Sequence, residues 1–214
     1  MRGDLDMSNF EELLHTLPTT AISDALAGTT NVNAAIKPLK DQYHIAGRAV
    51  TVRLPIGENG ALLEAIRIAQ PGSILVVDAK GDTNRAVAGD FVVSLMKGME
   101  IQGLVVDGVI RDIQAIRDLN FPVFSLGTTV AAGNKFGGGM IQVPVAVGGI
   151  SVQPGDFIVG DTDGVVVIPQ SQVKEVIQKA QNKLAKDEAR ALAVANGKEN
   201  IIAYLDQAIG KEKA

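Results

Sequence analysis

The sequence predicts an α/β fold in which helices cover β-strands, and three observations support it. Of the 214 residues, 46% are hydrophobic but only 4% are aromatic, so the core is built from Val, Ile, Leu and Ala, as buried strands are. Apolar runs alternate with helical patterns in the first half of the chain, which favours parallel strands. Closely spaced short strands follow, and the chain ends in a helical region. The length suits a single domain, 1–214, with a helical extension at 171–214.

The N-terminal segment is predicted to form two short helices. Ser8 and Glu11 have the spacing of a capping box, which marks the start of the first helix. Thr19 or Thr20 can cap the second helix, and Gly28 ends it.

The next part predicts strands joined by helices. Residues 44–54 alternate as a strand does, 60–68 follow with a helical pattern, and 74–77 are an apolar run. The pattern repeats with a helix at 91–98 and a strand at 103–106. At least part of the sheet should therefore be parallel.

The second half differs in character. Residues 127–149 are rich in Gly and Thr, which indicates a mobile or tightly turned excursion. Predicted strands at 143–147, 157–160 and 165–168 suit a second sheet, largely antiparallel, packed on the first. From Ser171 the chain is predicted to be helical, with one apolar stripe formed by Val173, Val176, Ile177, Ala180 and Leu184.

Composition narrows the function classes. The net charge of −4 and the absence of a basic block give no support to a nucleic-acid surface. The chain has no cysteine, which excludes disulfides, thiolate catalysis and zinc thiolate sites. No segment has the length of a membrane span and the start of the chain lacks a signal-peptide core, so we expect a cytoplasmic protein without a membrane partner.

Two segments carry the chemistry. An apolar strand ending in Asp107-Gly108 is followed by Arg111 and Asp112, a bidentate anion donor beside a hard oxygen ligand. The polar segment 78–90 follows another apolar run and leads into a helix. The first amides of a helix have no intrahelical partner, so those of residues 89–92 could hold a carboxylate or phosphate.

These segments, with Phe-Pro-Val-Phe at 121–124 and the long motif from Val-Gly-Gly-Ile at 147–150 to Pro169, resemble the RraA-like family. The family joins class II 4-hydroxy-4-methyl-2-oxoglutarate aldolases, which also decarboxylate oxaloacetate, with regulators of ribonuclease E activity. The resemblance runs from about residue 20 to residue 169. It implies a three-layer β/β/α domain of the swivelling type, with a mixed sheet.

A metal site is expected to use oxygen ligands. The two histidines, His15 and His44, are far in sequence from the motifs, and no cysteine is present. Oxygen ligands select Mg²⁺ or Mn²⁺, which keep several waters and need few carboxylates. The resemblance implies that Asp112 is the metal ligand and that Arg111 binds an α-keto acid substrate.

The resemblance also assigns roles around these two residues. The amides of the family's pyruvate-binding loop match Gly89, Asp90, Phe91 and Val92. Asp90, with Glu188 from a neighbouring subunit, would orient a water that removes the substrate hydroxyl proton. Asp187 and Glu188 interrupt the apolar stripe of the C-terminal helix, either because that helix leaves the core or because it reaches a neighbour. A homo-oligomer, a trimer or a dimer of trimers, is expected.

Other functions remain open at this stage. The main alternative is a regulator without catalysis that binds ribonuclease E or an RNA helicase. An enzyme acting on an unrelated oxo acid is a third possibility. A Schiff-base mechanism at Lys80 is disfavoured because a lysine in a Gly-Asp loop is exposed. A methyltransferase would need a glycine-rich nucleotide-binding turn after the first strand, and none is evident. Asn134 and Lys135 could meet a second substrate carboxylate.

Overall fold

The computed structural model describes residues 7–195 and 197–211. Its helices are α1 (Met7–His15), α2 (Thr19–Ala25), α3 (Gly60–Ile68), α4 (Asp90–Gly98), α5 (Ile113–Leu119), α6 (Val173–Val194) and α7 (Lys198–Lys211). Its strands are β1 (Lys37–Pro38), β2 (Ile45–Arg53), β3 (Ile74–Ala86), β4 (Gly103–Ile110), β5 (Val123–Thr128), β6 (Met140–Ile141), β7 (Val145–Val147), β8 (Ile150–Val152), β9 (Phe157–Gly160) and β10 (Val165–Ile168).

The main sheet is mixed, as predicted. Its strand order is β1-β5-β4-β3-β2-β9-β10, and β6 also pairs with β2. Strands β2 to β5 run parallel, whereas β1, β6, β9 and β10 pair antiparallel with their neighbours. Strands β7 and β8 form a separate antiparallel pair. The parallel part places the carboxyl ends of β3 and β4 side by side, and the site lies at that edge.

The sheet curls so that its inner face packs on itself. Phe124 on β5 lies against Gly160 on β9, where an added Cβ would be 3.0 Å from the Phe124 ring, although three strands separate the two. The inner core also takes in β7 and β8. On the outer face, α3, α4 and α5 cover the parallel strands, and α1, α2 and α6 cover β9 and β10. Strands packed on strands with helices outside confirm the predicted β/β/α fold class.

Three details differ from the sequence-based prediction. Strands β9 and β10 continue the main sheet, because β9 pairs with β2, and do not form a separate second sheet. Strand β3 extends to Ala86, and β4 to Ile110, well past the predicted ends. Strand β3 continues through irregular pairing because Lys80 and Gly81 adopt positive φ angles of 61° and 67°. Helix α5 and strands β1, β5, β6 and β8 were not predicted.

The cap of α2 also differs from the prediction. The N-cap residue is Pro18, so Thr19 lies inside the helix and does not cap it. Instead, the Asp161 carboxylate accepts hydrogen bonds from the Thr19 amide at 2.9 Å and from its hydroxyl at 2.7 Å. A residue 142 positions away thus satisfies the helix start. The predicted Ser8 cap depends on a side chain that lies outside the described part of the chain.

The C-terminal helices agree with the predicted stripe. Val173, Val176, Ile177 and Ala180 on α6 are buried against α1, α2, β9 and β10, and Leu184 is partly buried there. Helix α7 follows α6, and its residues 198–210 are all exposed. Of the described helices, none has both the length and the apolar character needed to cross a membrane.

The fold brings the two histidines together. His15 Nδ1 lies 3.3 Å from His44 Nδ1, and His15 Nε2 lies 2.6 Å from Gln102 Nε2. Partial burial, and then the neighbouring His44, lower the pKa of His15 below its ordinary value of 6.5. The folded chain therefore favours a neutral His15 ring at this junction of α1 with the sheet.

Acidification is expected to weaken this junction. The unfolded chain takes up a proton at His15 before the folded chain does, so the contribution of His15 to stability is present above the unfolded pKa of 6.5 and is lost as the pH falls through the lower folded pKa. We expect Tm to fall between about pH 7.5 and about pH 5.5, and to fall less in His15→Gln. Thermal denaturation followed by circular dichroism measures both. An equal fall in the two proteins would contradict a role for His15.

Candidate active site

The two predicted segments meet where β3 and β4 end. Ala86 and Val109 are paired across the strands, and the Val87 amide donates to the Val109 carbonyl at 2.9 Å. The Arg111 amide then donates to the Ala88 carbonyl at 3.0 Å. The backbone thus holds the start of α4 beside the turn that follows β4.

The side chains of Arg111 and Asp112 lie close to the backbone at Gly89. A Cβ at residue 89 would lie 2.4 Å from Asp112 Oδ2 and 3.1 Å from Arg111 Nε, so any larger residue there would displace these two side chains from their present positions. The φ angle of Gly89 is −126°, which any residue adopts, so the close contact and not the backbone conformation favours glycine here.

Arg111 and Asp112 form an ion pair at the cavity edge. Arg111 Nε lies 3.2 Å from Asp112 Oδ2, and the two side chains are 42% and 37% exposed. Asp112 has a φ of 58° and a ψ of 38°, a left-handed conformation that turns the chain from β4 into α5. Because a half-exposed ion pair adds little to stability, the strained turn at Asp112 suggests a functional use of this geometry.

The opening turn of α4 faces the same place. Gly89 is its N-cap residue, and the Gly89 carbonyl accepts the helix's first hydrogen bond, from the Val93 amide at 3.0 Å. The Phe91 amide donates to Asp90 Oδ1 at 2.7 Å, so the carboxylate of Asp90 already occupies one of the opening donors. An anionic ligand at these amides would compete with that carboxylate.

A cavity of about 160 Å³ connects these groups. Its lining includes Arg111 and all four residues of the predicted carboxylate-binding turn. The remaining lining residues are Asn59, Ala86, Ala88, Ala132, Gly133 and Lys135. Asp112, the predicted metal ligand, is not among the lining residues but contacts one of them, Arg111.

The glycine-rich loop, for which the sequence predicted no definite geometry, closes one side of the cavity. Its Gly133 amide donates to the Ala86 carbonyl at 3.1 Å, and its Asn134 amide donates to the Gly57 carbonyl at 2.7 Å. Lys135 lines the cavity, as expected for a residue that meets a second carboxylate, whereas Asn134 bonds the scaffold through its backbone.

Sequence reasoning missed one residue of the cavity. The sequence motifs assign no role to Asn59, yet it is 9% exposed and lines the cavity. Its Nδ2 donates to the Val87 carbonyl at 3.2 Å. The available signal was an asparagine beside a glycine at the start of α3, which is also typical of ordinary helix starts.

Two other candidates lie elsewhere. Glu188 is exposed on α6, which packs on α1 and α2, and the structure does not bring it to Arg111 within one chain. Lys80 Nζ pairs with Asp78 Oδ2 at 2.7 Å, and an ammonium held in an ion pair lacks the free lone pair that a Schiff base needs.

The donor set at the cavity suits a hard divalent cation. Asp112 offers a carboxylate that is partly open to solvent, so waters can complete an octahedral shell around Mg²⁺ or Mn²⁺. Within the described residues no group of three or more His, Cys, Asp or Glu side chains could hold a metal ion. A site here would therefore rest on one carboxylate plus water and substrate oxygens.

Comparisons with known proteins identify the family. The family model described as RraA-like, Aldolase/RraA, matches residues 19–167. A protein from Halalkalibacterium halodurans, provisionally named as a 4-hydroxy-4-methyl-2-oxoglutarate aldolase, is 51% identical over 201 residues, which are 94% of this chain and 96% of that protein.

Two solved structures agree with this match. The structure of Streptomyces coelicolor RraAS2, described as an unusual member of the RNase ES inhibitor RraA family, has a TM-score of 0.79 at 29% identity and covers 86% of this chain and 98% of that one. The RNA-processing inhibitor RraA from Thermus thermophilus has a TM-score of 0.66 at 28% identity, over 71% and 92% of the two chains. The shared fold and the matched motifs show that this chain belongs to the RraA-like family.

Proposed function

We propose that this protein is a divalent-metal-dependent carbon–carbon lyase. It cleaves substrates like 4-hydroxy-4-methyl-2-oxoglutarate to pyruvate and also decarboxylates oxaloacetate. The observation that carries the proposal is that Arg111 and the opening turn of α4 line one cavity, while Asp112 contacts Arg111. The name of the H. halodurans relative supports an aldolase.

The cavity suits a short α-keto acid. At about 160 Å³ it is smaller than the roughly 300–1,000 Å³ of pockets that hold drug-sized ligands. The amides that open α4 would bind the carboxylate beside the keto group. Lys135, on the opposite loop, is placed to meet a second carboxylate.

Arg111 acts on the charge that develops during bond cleavage. Both proposed reactions pass through the enolate of pyruvate, so negative charge grows on the keto oxygen. A Mg²⁺ or Mn²⁺ ion on Asp112 would supply Lewis-acid stabilisation of that charge. Arg111 adds a guanidinium charge and directed N–H donors, and its Nε lies 3.2 Å from Asp112 Oδ2.

Asp90 is the general base of the retro-aldol step. Cleavage of a 4-hydroxy-2-oxo acid requires loss of the hydroxyl proton, and Asp90 lines the cavity with an exposed carboxylate. It would accept that proton through a water, which suits a general base within one water of its target. Decarboxylation of oxaloacetate has no such proton to remove.

A regulatory role is the second candidate. The two RraA structures carry names that refer to inhibition of RNA processing. The exposed apolar side chains of Phe91 and Leu95 on α4, and of Met99 directly after it, offer a surface for a protein partner.

Pyruvate release separates the two functions. Purified protein is assayed with oxaloacetate and with 4-hydroxy-4-methyl-2-oxoglutarate, with Mg²⁺, with Mn²⁺ and with a chelator. We expect pyruvate from both substrates and loss of activity with the chelator. Failure to release pyruvate from either substrate with either metal would favour the regulator.

The apolar surface around the cavity supports a homo-oligomer, either a trimer or a dimer of trimers. Phe91 is 67% exposed, and Val130 and Phe136 on the facing loop are 95% and 88% exposed. Helix α7 also exposes apolar side chains at Ile201, Leu205 and Ile209. Surfaces of this kind next to a site fit subunits that complete each other's cavities.

A variant of Glu188 tests whether neighbouring subunits share the site. If Glu188 enters a neighbour's cavity, Glu188→Gln should lower retro-aldol turnover more than oxaloacetate decarboxylation, because only the former needs proton removal. Truncation after Lys183 should lower turnover while the remaining domain stays folded, as judged by its Tm. Glu199→Gln, an exposed change on α7, is the control. Light scattering gives the mass, and an active monomer would exclude the shared site.

A further inference from the structure

Asn59 presents an unpartnered acceptor at the cavity. Its side chain is 9% exposed, and its Oδ1 is buried without a hydrogen-bond partner. An amide oxygen that loses water without gaining a donor costs roughly 1–3 kcal/mol. The remaining atoms of the residue are engaged, because Nδ2 donates to the Val87 carbonyl at 3.2 Å and the backbone amide donates to the Asn134 carbonyl at 3.0 Å.

The surroundings hold this amide in one place. Gly133 lies beside it: a Cβ there would be 2.8 Å from the Ala86 carbonyl oxygen and in ordinary contact, at 3.4 Å, with Asn59 Nδ2. Val87, which accepts from Nδ2, immediately precedes the Ala88-Gly89 turn of the active site. The scaffold thus fixes the donor end of the amide, whereas the acceptor end of this cavity-lining residue has no protein donor.

We propose that Asn59 is a positioning residue whose Oδ1 holds the water that carries the substrate hydroxyl proton to Asp90. This inference rests on the function proposed above. Asp90 and Asn59 line the same cavity, so one water can donate one hydrogen to Oδ1 and the other to the Asp90 carboxylate. Its lone pair then faces the substrate hydroxyl.

The proton balance of the step is complete. The substrate hydroxyl gives its proton to the water, and the water gives one of its own protons to Asp90. The former hydroxyl oxygen becomes a carbonyl oxygen as the C–C bond breaks. The electron pair of that C–C bond forms the pyruvate enolate. Asn59 exchanges no proton. Decarboxylation of oxaloacetate does not use this water, so the two substrates report on Asn59 differently.

The variants Asn59→Ala and Asn59→Asp separate the role of the amide oxygen from the role of the amide nitrogen. Alanine removes both ends. Aspartate keeps an oxygen acceptor at the same position, whether or not it is ionised, but does not provide the Nδ2 donor. We expect Asn59→Ala to lower kcat for 4-hydroxy-4-methyl-2-oxoglutarate at least about tenfold more than kcat for oxaloacetate, since general base catalysis contributes roughly 100- to 10,000-fold. We expect Asn59→Asp to keep the ratio of the two kcat values within about threefold of the wild type, even with a lower Tm.

The outcomes are distinguishable. Equal losses of kcat for both substrates in Asn59→Ala would assign the residue to the scaffold and overturn the inference. The inference would also be overturned if the ratio of kcat for 4-hydroxy-4-methyl-2-oxoglutarate to kcat for oxaloacetate fell as far in Asn59→Asp as in Asn59→Ala. If Asn59→Ala does not fold, the ratio in Asn59→Asp decides alone, because retention shows that the acceptor end suffices and loss shows that it does not. Wild-type protein inactive on both substrates would instead refute the proposed function.

Discussion

Asp112→Ala is expected to abolish metal-dependent pyruvate release from both substrates. Asp112 is the carboxylate in contact with the cavity residue Arg111, and within the described residues no group of three or more His, Cys, Asp or Glu side chains could hold a metal ion in its place. Steady-state pyruvate release and calorimetric titration with Mn²⁺ measure the two consequences, loss of turnover and loss of metal affinity.

A matched control uses the same helix. Asp118 is an exposed carboxylate on α5 that accepts a hydrogen bond from Gln114 at 3.0 Å. Asp118→Ala removes the same charge from the protein and should leave turnover and metal binding near wild-type values. If Asp112→Ala keeps wild-type activity with the same metal dependence, the metal site lies elsewhere.

Arg111→Lys is expected to lower kcat by about 100- to 1,000-fold, the range for loss of one transition-state donor. Lysine keeps the charge but lacks the planar guanidinium, and its ammonium cannot reproduce the position of Nε, 3.2 Å from Asp112 Oδ2. The loss should be similar for both substrates, because both reactions form the same enolate. Steady-state kinetics with each substrate measures it.

Arg67→Lys on α3 is the control, since that side chain is exposed outside the cavity lining. A loss in Arg111→Lys smaller than about tenfold, or a rise in KM with unchanged kcat, would make Arg111 a residue that positions substrate and does not stabilise the transition state.

These variants probe a site whose chemical groups were visible in the sequence because they lie in short contiguous motifs. Arg111 and Asp112 adjoin in the chain, and residues 89–92 form one helix start. Hydrophobic periodicity likewise indicated most helices and strands, since the 3.6- and 2-residue repeats are local properties. The buried stripe of α6 from Val173 to Ala180 is an example.

The extent and pairing of strands required the tertiary structure. Strand β3 passes through Lys80 and Gly81 at positive φ, where local patterns indicate a loop. Beyond these two residues β3 pairs with β4 again, at Asp82 and Ala86, and the strand therefore continues to Ala86. Similarly, the spacing of β9 and β10 predicted antiparallel strands, but only the register between β9 and β2 places them in the main sheet.

By itself, then, the sequence determined the fold class and most elements and indicated the residues of the candidate site, because each of these depends on residues near one another in the chain. The tertiary structure alone decided which groups share the cavity. Asn59 and Lys135 are separated from Arg111 along the chain and reach it through the turn after β3 and the glycine-rich loop. Contacts over such separations depend on how the whole sheet packs, and no local pattern records them.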